Sequence, residues 1–252
     1  MLPVILLAAL FLTPFVIVLR QAVSGWRADE APLHLGNFLR ALDVDHQGTH
    51  FPNLLGNSVL FSGVSAALGV LFASAAYVLA RFRFLGRDLL FFVVVGTMMF
   101  PWQVTLIPNF VLARDLHWLN TYASLIAPAL PKAFAEFLLR QQMLAVPGEM
   151  LGAARLDGAG EWRLWWSVLM PVVRPALLAV FKLLALSEWS SFLWPYLVAD
   201  DGINPTLPVA LSRIRGEGGA YPAVLVLTML PLVLVFLGFQ RTLGQGLSIG
   251  RS

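Results

Sequence analysis

Cysteine is absent from this 252-residue chain, so disulfides and thiolate metal sites are closed to it. Charge is scarce as well. Only 12% of the residues are Asp, Glu, Lys or Arg, against about a quarter in soluble domains. So few charges cannot cover a water-facing surface. The four histidines, His34, His46, His50 and His117, form no HExxH-type helical pair, and no metal is expected. A phosphate-cradling loop of the form G-x-x-x-x-G-K-[ST] is also missing, so no ATP hydrolysis is expected from this chain.

Long apolar runs take the place of charge. The mean hydropathy is +0.77, and six segments have the roughly 20 predominantly apolar residues that a bilayer span requires. They lie at about 2–20, 54–80, 89–110, 120–140, 176–198 and 221–240. This predicts an all-α, polytopic membrane protein forming one domain over 1–252. The first run has no basic segment before it and no A-x-A-like cleavage site after it, so it is read as a retained helix rather than a signal peptide. The net charge of +3 does not point to nucleic acid here, because basic residues flank membrane spans. The short turn 81–88, "RFRFLGRD", carries Arg81, Arg83 and Arg87. The loop 141–175 carries Arg155, Arg163 and Arg174, with Arg140 at its edge, and the tail carries Arg241 and Arg251. The loop 21–53 instead sets Arg27 and Arg40 against Asp29, Glu30, Asp43 and Asp45. Since Lys and Arg favour the cytoplasmic side, both chain ends and the loops 81–88 and 141–175 are expected there, although Arg213 and Arg215 weaken the asymmetry.

Some residues do not suit lipid. "FPWQVTLIP" places Pro101 and Pro108 in or beside a helix, where each removes a backbone bond that only protein or a water-filled cavity can replace. Lys132, Glu136, Lys182 and Glu188 fall inside the expected spans, where charge is costly. Lys132 and Glu136 are four apart and are expected to pair, and Lys182 to reach outward along its stem. Glu188 is expected either to line a solute path or to form an interhelical ion pair.

The loop "EMLGAARLDGAGEW", 149–162, is polar, small and broken by glycine. Pro147 suits the first turn of a helix, Glu149 complements its positive end, and Gly158 suits its stop. A second short helix is expected from Glu161, with Trp162, Trp165, Trp166 and Leu169 on one face at the membrane boundary, ended by Pro171.

This loop resembles the EAA loop of binding-protein-dependent ABC importers. Ala153 and Ala154 match its two alanines, Asp157 and Gly158 its aspartate and glycine, and Pro171 its later proline. Further blocks resemble the smaller, maltose-type permease of the carbohydrate-uptake branch. They are "NSVLFS" at 57–62, "PWQVTLIPNFVLARDLHWLNTYASLIAPAL" at 101–130, "FLLRQQM" at 137–143, "SEWSSFLWPYLV" at 187–198, "TLPVAL" at 206–211 and "FQRTLGQGLSIG" at 239–250. The resemblance implies a six-span permease of the bacterial cytoplasmic membrane whose loop 147–171, between spans 4 and 5, carries a coupling helix. Glu149, Gly152, Ala153, Ala154, Arg155, Asp157, Gly158 and Ala159 would then seat in a separate ATPase. It also implies a second, different permease, two ATP-binding subunits holding ATP and Mg, and an extracytoplasmic sugar-binding protein. Two departures stand out: Gly152 occupies the glutamate position, and Trp189-Ser190-Ser191-Phe192 stands where the family has Trp-Asn-x-Phe. The resemblance also leads one to expect a leading cytoplasmic segment, which the short N-terminus of this sequence lacks.

A sugar path needs hydroxyl-binding groups and flat apolar faces. Trp102, Gln103, Asn109, Glu188, Trp189 and Ser190 are the candidates, whereas Trp194 reads as an interfacial anchor. Glycerol phosphate is the nearest alternative cargo. A proton-coupled secondary transporter is disfavoured by the lack of visible inverted repeats. An intramembrane enzyme is disfavoured because no Ser-His, Asp-pair or metal constellation falls at membrane depth.

Overall fold

The computed structural model describes residues 2–24, 35–43, 45–46, 49–199, 205–213 and 220–246. Arg27, Asp29, Glu30, His34, Arg215 and Arg251 lie outside the described residues, as does the tail block beyond Gly246. Apart from a two-residue antiparallel ladder, β1 (Asp45–His46) on β2 (Thr49–His50), the described regular structure is helical.

In chain order the helices are α1 (Leu2–Val23), α2 (Gly36–Leu42), α3 (Phe51–Ala73), α4 (Ala76–Arg81), α5 (Arg87–Thr97), α6 (Trp102–Asp115) and α7 (Tyr122–Ile126). A 3₁₀ turn, Ala127–Ala129, follows α7. Then come α8 (Ala133–Ala145), α9 (Gly148–Leu156), α10 (Glu161–Trp189), α11 (Leu193–Val198), α12 (Leu207–Arg213) and α13 (Ala220–Gly246).

Among the described residues, two continuous stretches are long and apolar enough to cross a membrane: Phe51–Arg81, which joins α3 to α4, and Glu161–Trp189. The number rises to four if each of two bent pairs is counted as one span. Ala9–Val23 and Ala220–Val235 are shorter apolar stretches, and α1 packs against α13. The run 54–80 falls in one continuous helical stretch, whereas three other runs are shaped differently from the single helices expected. The run 89–110 is two helices, α5 and α6, meeting at 93°. Proline disfavours helical backbone in the residue before it, and Pro101 caps α6 from outside while Pro108 lies within. The run 120–140 bends by 47° at Leu130–Lys132, around Pro131, and continues to Ala145.

The third difference is the largest. Pro171 does not end a short helix; α10 passes through it and through Pro175. A π-helical turn, Leu164–Leu169, ends two residues before the proline. Its wider hydrogen-bond ladder accommodates a residue that cannot donate and whose ring would strike the preceding turn of an α-helix. The helix then stops at Trp189, short of the expected 198, and Ser190–Phe192 separates it from α11.

The core forms where α10 lies along α3. Ala66, Gly69 and Ala73 give α3 a face of small residues, and a Cβ at Gly69 would sit 2.9 Å from Leu184 Cδ1. Small residues permit such close helix approach where the hydrophobic effect offers little between helices. Leu139 and Met143 of α8, with Leu169, Val180 and Leu184 of α10, belong to this cluster, as do Ala76, Tyr77 and Ala80 of α4. A second cluster joins Phe51, Leu54 and Trp189 to α12 and α13, and a third gathers Phe61, Leu125 and Val198.

Candidate functional site

Three helix interruptions meet at one cavity of about 550 Å³, within the range of small-molecule sites. They are the start of α6 at Trp102, the break before α8 at Pro128–Lys132, and the break between α10 and α11 at Ser190–Phe192. Irregular backbone is tolerated in a membrane where it lines such a space. From α6 come Trp102, Thr105, Leu106 and Asn109, at i, i+3, i+4 and i+7, one face of the helix. From the end of α10 come Ser187 and Glu188, and from the break Ser190, Ser191 and Phe192. Trp194 of α11 lies in the wall, its indole N–H donating to the Ser124 carbonyl at 3.0 Å.

Among the described residues, the wall holds one ion pair. Lys132 Nζ lies 2.8 Å from Glu188 Oε1, with the carboxylate side chain 8% exposed and the lysine 31%. This corrects the expected Lys132–Glu136 pair. Lys132 follows Pro131 and caps α8 from outside, with φ −122° and ψ 89°, so the two residues do not share a helical face. Glu188 thus forms the interhelical ion pair that was one of its two expected roles, and it also lines the cavity.

A knuckle forms where α9 turns into α10. Pro147 caps α9 from outside, Glu149 lies in its first turn and Arg155 in its last. The amide of Gly158 donates to the Arg155 carbonyl and that of Ala159 to the Ala154 carbonyl, both at 3.0 Å. These two bonds make a Schellman stop, and Gly158, at φ +82°, supplies its left-handed residue. Across the corner Arg155 donates twice to Glu161 Oε1, at 3.1 and 2.8 Å, while Tyr77 O–H donates to Glu161 Oε2 at 2.8 Å. Glu161 thereby ties the knuckle to α4. Arg81 braces the entry by donating to the Met143 and Val146 carbonyls, satisfying groups that the end of α8 leaves open. Leu151 is buried, whereas Glu149, Ala153, Arg155, Asp157 and Gly158 are exposed and Gly152, Ala154 and Ala159 half-buried. Leu156, at 91% exposure, projects outward. Trp162 and Trp166 are exposed, with Trp165 half-buried between them.

Of the six path candidates, Trp102, Asn109, Glu188 and Ser190 line the cavity. Gln103 does not, because one residue's step turns it about 100° off the Trp102 face of α6. Nor does Trp189, which is buried in the cluster of Phe51, Leu54 and Leu207. Trp194, read as an interfacial anchor, also lines the cavity. Sequence reasoning missed Thr105, Ser187 and Ser191. Thr105 was open to it, lying a helical turn from both Trp102 and Asn109.

The family of binding-protein-dependent transport system inner membrane components matches residues 65–249. The chain is 34% identical over 227 residues to the arabinooligosaccharides transport system permease protein AraQ of Halalkalibacterium halodurans, covering 88% of this chain and 80% of that one. It is 32% identical over 212 residues to the sn-glycerol-3-phosphate transport system permease protein UgpE of Yersinia pestis, covering 81% and 75%. Its fold matches a chain in the crystal structure of a bacterial ABC transporter involved in the import of the acidic polysaccharide alginate, with a TM-score of 0.78 at 20% identity over 95% and 93% of the two chains. The chain belongs to the family of binding-protein-dependent transport system inner membrane components, as a multi-pass permease subunit.

Proposed function

We propose that the chain is one permease half of an ATP-driven importer that carries a sugar across the bacterial cytoplasmic membrane by alternating access. The observation that carries this reading is α10 itself. It begins at the knuckle, where Glu161 meets Arg155 and Tyr77, and ends at the cavity, where Glu188 meets Lys132. At 1.5 Å per residue its 29 residues span about 40 Å, enough to link one membrane face to the bilayer interior. Movement imposed on the knuckle thus has a direct helical route to the cavity.

In this reading α1, the four longer or bent spans and α13 make six crossings, with both chain ends and the 147–171 loop in the cytoplasm. The exposed side of α9 seats in a partner ATPase, which holds ATP and Mg. Glu149 and Asp157 take over the carboxylate role that Gly152 cannot fill. A second permease, a second ATPase and an extracytoplasmic sugar-binding protein complete the assembly. The UgpE relatives favour a second cargo, glycerol phosphate, on the same machinery.

The test is to purify the assembly through this chain, identify its subunits, and measure which solute stimulates ATP hydrolysis with the binding protein present. An ATP-binding subunit should co-purify; its absence would sink the proposal. Gly158→Pro should insert normally yet lose solute uptake, because proline cannot adopt φ +82° or donate to Arg155.

A further inference from the structure

We propose that the Lys132–Glu188 pair makes the cavity selective for uncharged polyhydroxylated solutes and against anions, with Glu188 as the specificity-determining residue. This rests on the reading of the cavity as part of the solute path. Among the described residues that line it, Lys132 and Glu188 alone carry a formal charge, and at 2.8 Å they cancel. A bare lysine in such a wall would attract phosphate or a uronate. Here the ammonium already faces a carboxylate that is only 8% exposed.

An incoming anion that uses the ammonium's remaining donors meets the Glu188 carboxylate beside it, whose like charge offsets the gain. To bind Lys132 alone it would have to take the lysine from Glu188. It would gain a charge-assisted hydrogen bond and strand a carboxylate almost out of reach of water, and breaking a buried pair this way is strongly unfavourable. A hydroxyl group faces no such exchange. An ammonium has three donors and a carboxylate about four acceptor positions, so the pair can stay closed and still serve a diol on both sides. Trp102 and Trp194 add flat apolar faces of the kind that pack on sugar rings, and Asn109 adds an amide. The wall is therefore suited to a neutral polyol.

The test uses the complete nucleotide-free complex in lipid nanodiscs, with radiolabelled inorganic phosphate as the probe. Glu188→Gln frees Lys132 without changing side-chain size and should raise phosphate affinity about tenfold, the lower end of what a hydrogen bond to a charged group contributes. Adding Lys132→Met to Glu188→Gln should remove the gain, which a merely structural role for the pair does not require. If Glu188→Gln fails to fold, Glu188→Asp, which draws the carboxylate back by one methylene, should give a smaller gain of the same sign. Wild-type protein that binds phosphate as tightly as Glu188→Gln overturns the proposal, as does a folded variant with no gain. This measurement needs neither ATP nor binding protein. Failure of the importer reading appears separately, as a missing ATPase partner in the wild type.

Discussion

The corner at Gly158 can be tested by one added methyl group. Gly158 holds φ +82°, and an L-residue in the left-handed region costs about 1–2 kcal/mol. A Cβ placed there would meet no other atom within 4 Å, so the cost comes from the backbone alone. Against it stands the loss of unfolded-state freedom on replacing glycine, which favours alanine by about 0.4–1 kcal/mol. The net cost of Gly158→Ala is then about 1 kcal/mol. If the corner opens locally, the fraction open rises about fivefold, because free energy and opening equilibrium are linked by RT.

Amide hydrogen exchange reads this directly. The Gly158 position and Ala159 donate the two Schellman bonds, so both should exchange about fivefold faster in the variant. Asparagine, which tolerates the left-handed region better, should fall between glycine and alanine. Gly160 is the internal control. It is two residues away and also open, but its φ of −70° is one that any residue adopts, so Gly160→Ala should not speed exchange at the corner. Equal behaviour of Gly158→Ala and Gly160→Ala would refute the reasoning, since it would mean that backbone handedness does not hold the knuckle.

Three further substitutions probe other parts of the molecule. Gly152 lies inside α9 with open space around a would-be Cβ, so Gly152→Ala should stabilise that helix by up to about 1 kcal/mol, read as slower exchange in α9, while lowering solute-stimulated ATP hydrolysis if a partner packs on that face. Gly69→Val should lower thermal stability of the solubilised complex by about 1–3 kcal/mol, because its Cβ alone already stands 2.9 Å from Leu184 Cδ1; an unchanged melt would mean that α3 and α10 are not packed this closely. Arg81→Met keeps the stem but leaves the Met143 and Val146 carbonyls without their charged donor, at a cost of about 1–2 kcal/mol, and should make the 146–148 link more open to proteolysis.

The parts of this fold that were legible in the sequence are those with local causes. Pro147 and Gly158 bracket α9 because each restricts or frees the backbone at its own position, and the structure puts the helix boundaries beside them. The apolar run 54–80 likewise needs no partner to be read as a span. What escaped depended on distant neighbours. The proximity of Lys132 to Glu136 in sequence suggested a pair, yet the lysine's partner is Glu188, brought in by the packing of α8 against α10. Four of the six path candidates reach the cavity, and the two that miss it differ by a single helical step from residues that line it. Which face of α6 or α10 points inward is set by what the other faces pack on. For Trp189 that is the cluster around Phe51 and Leu207, and no short-range pattern records it.

The continuity of α10 through two prolines follows from the same distinction. Read locally, Pro171 is a stop; in the fold, it follows a turn already widened to the π form and already fixed by buried Leu164 and Leu169. Packing therefore overrides a local rule at this point and yields one element instead of two. The consequence is mechanical. Two separate short helices would let the knuckle move without disturbing the cavity, whereas one helix joins them. Its fastenings are also unequal along its length. Directional polar contacts hold Glu161 and Glu188 near its ends, and between them the helix rests on the small residues Ala66, Gly69 and Ala73. Charge-assisted bonds resist displacement because they lose strength steeply with distance and angle, while apolar contact is non-directional and is retained when surfaces slide. The helix is thus fixed by directional contacts at two places, at Glu161 in the knuckle and at the Lys132–Glu188 pair in the cavity wall, and is free to slide between them only if one of the two gives way.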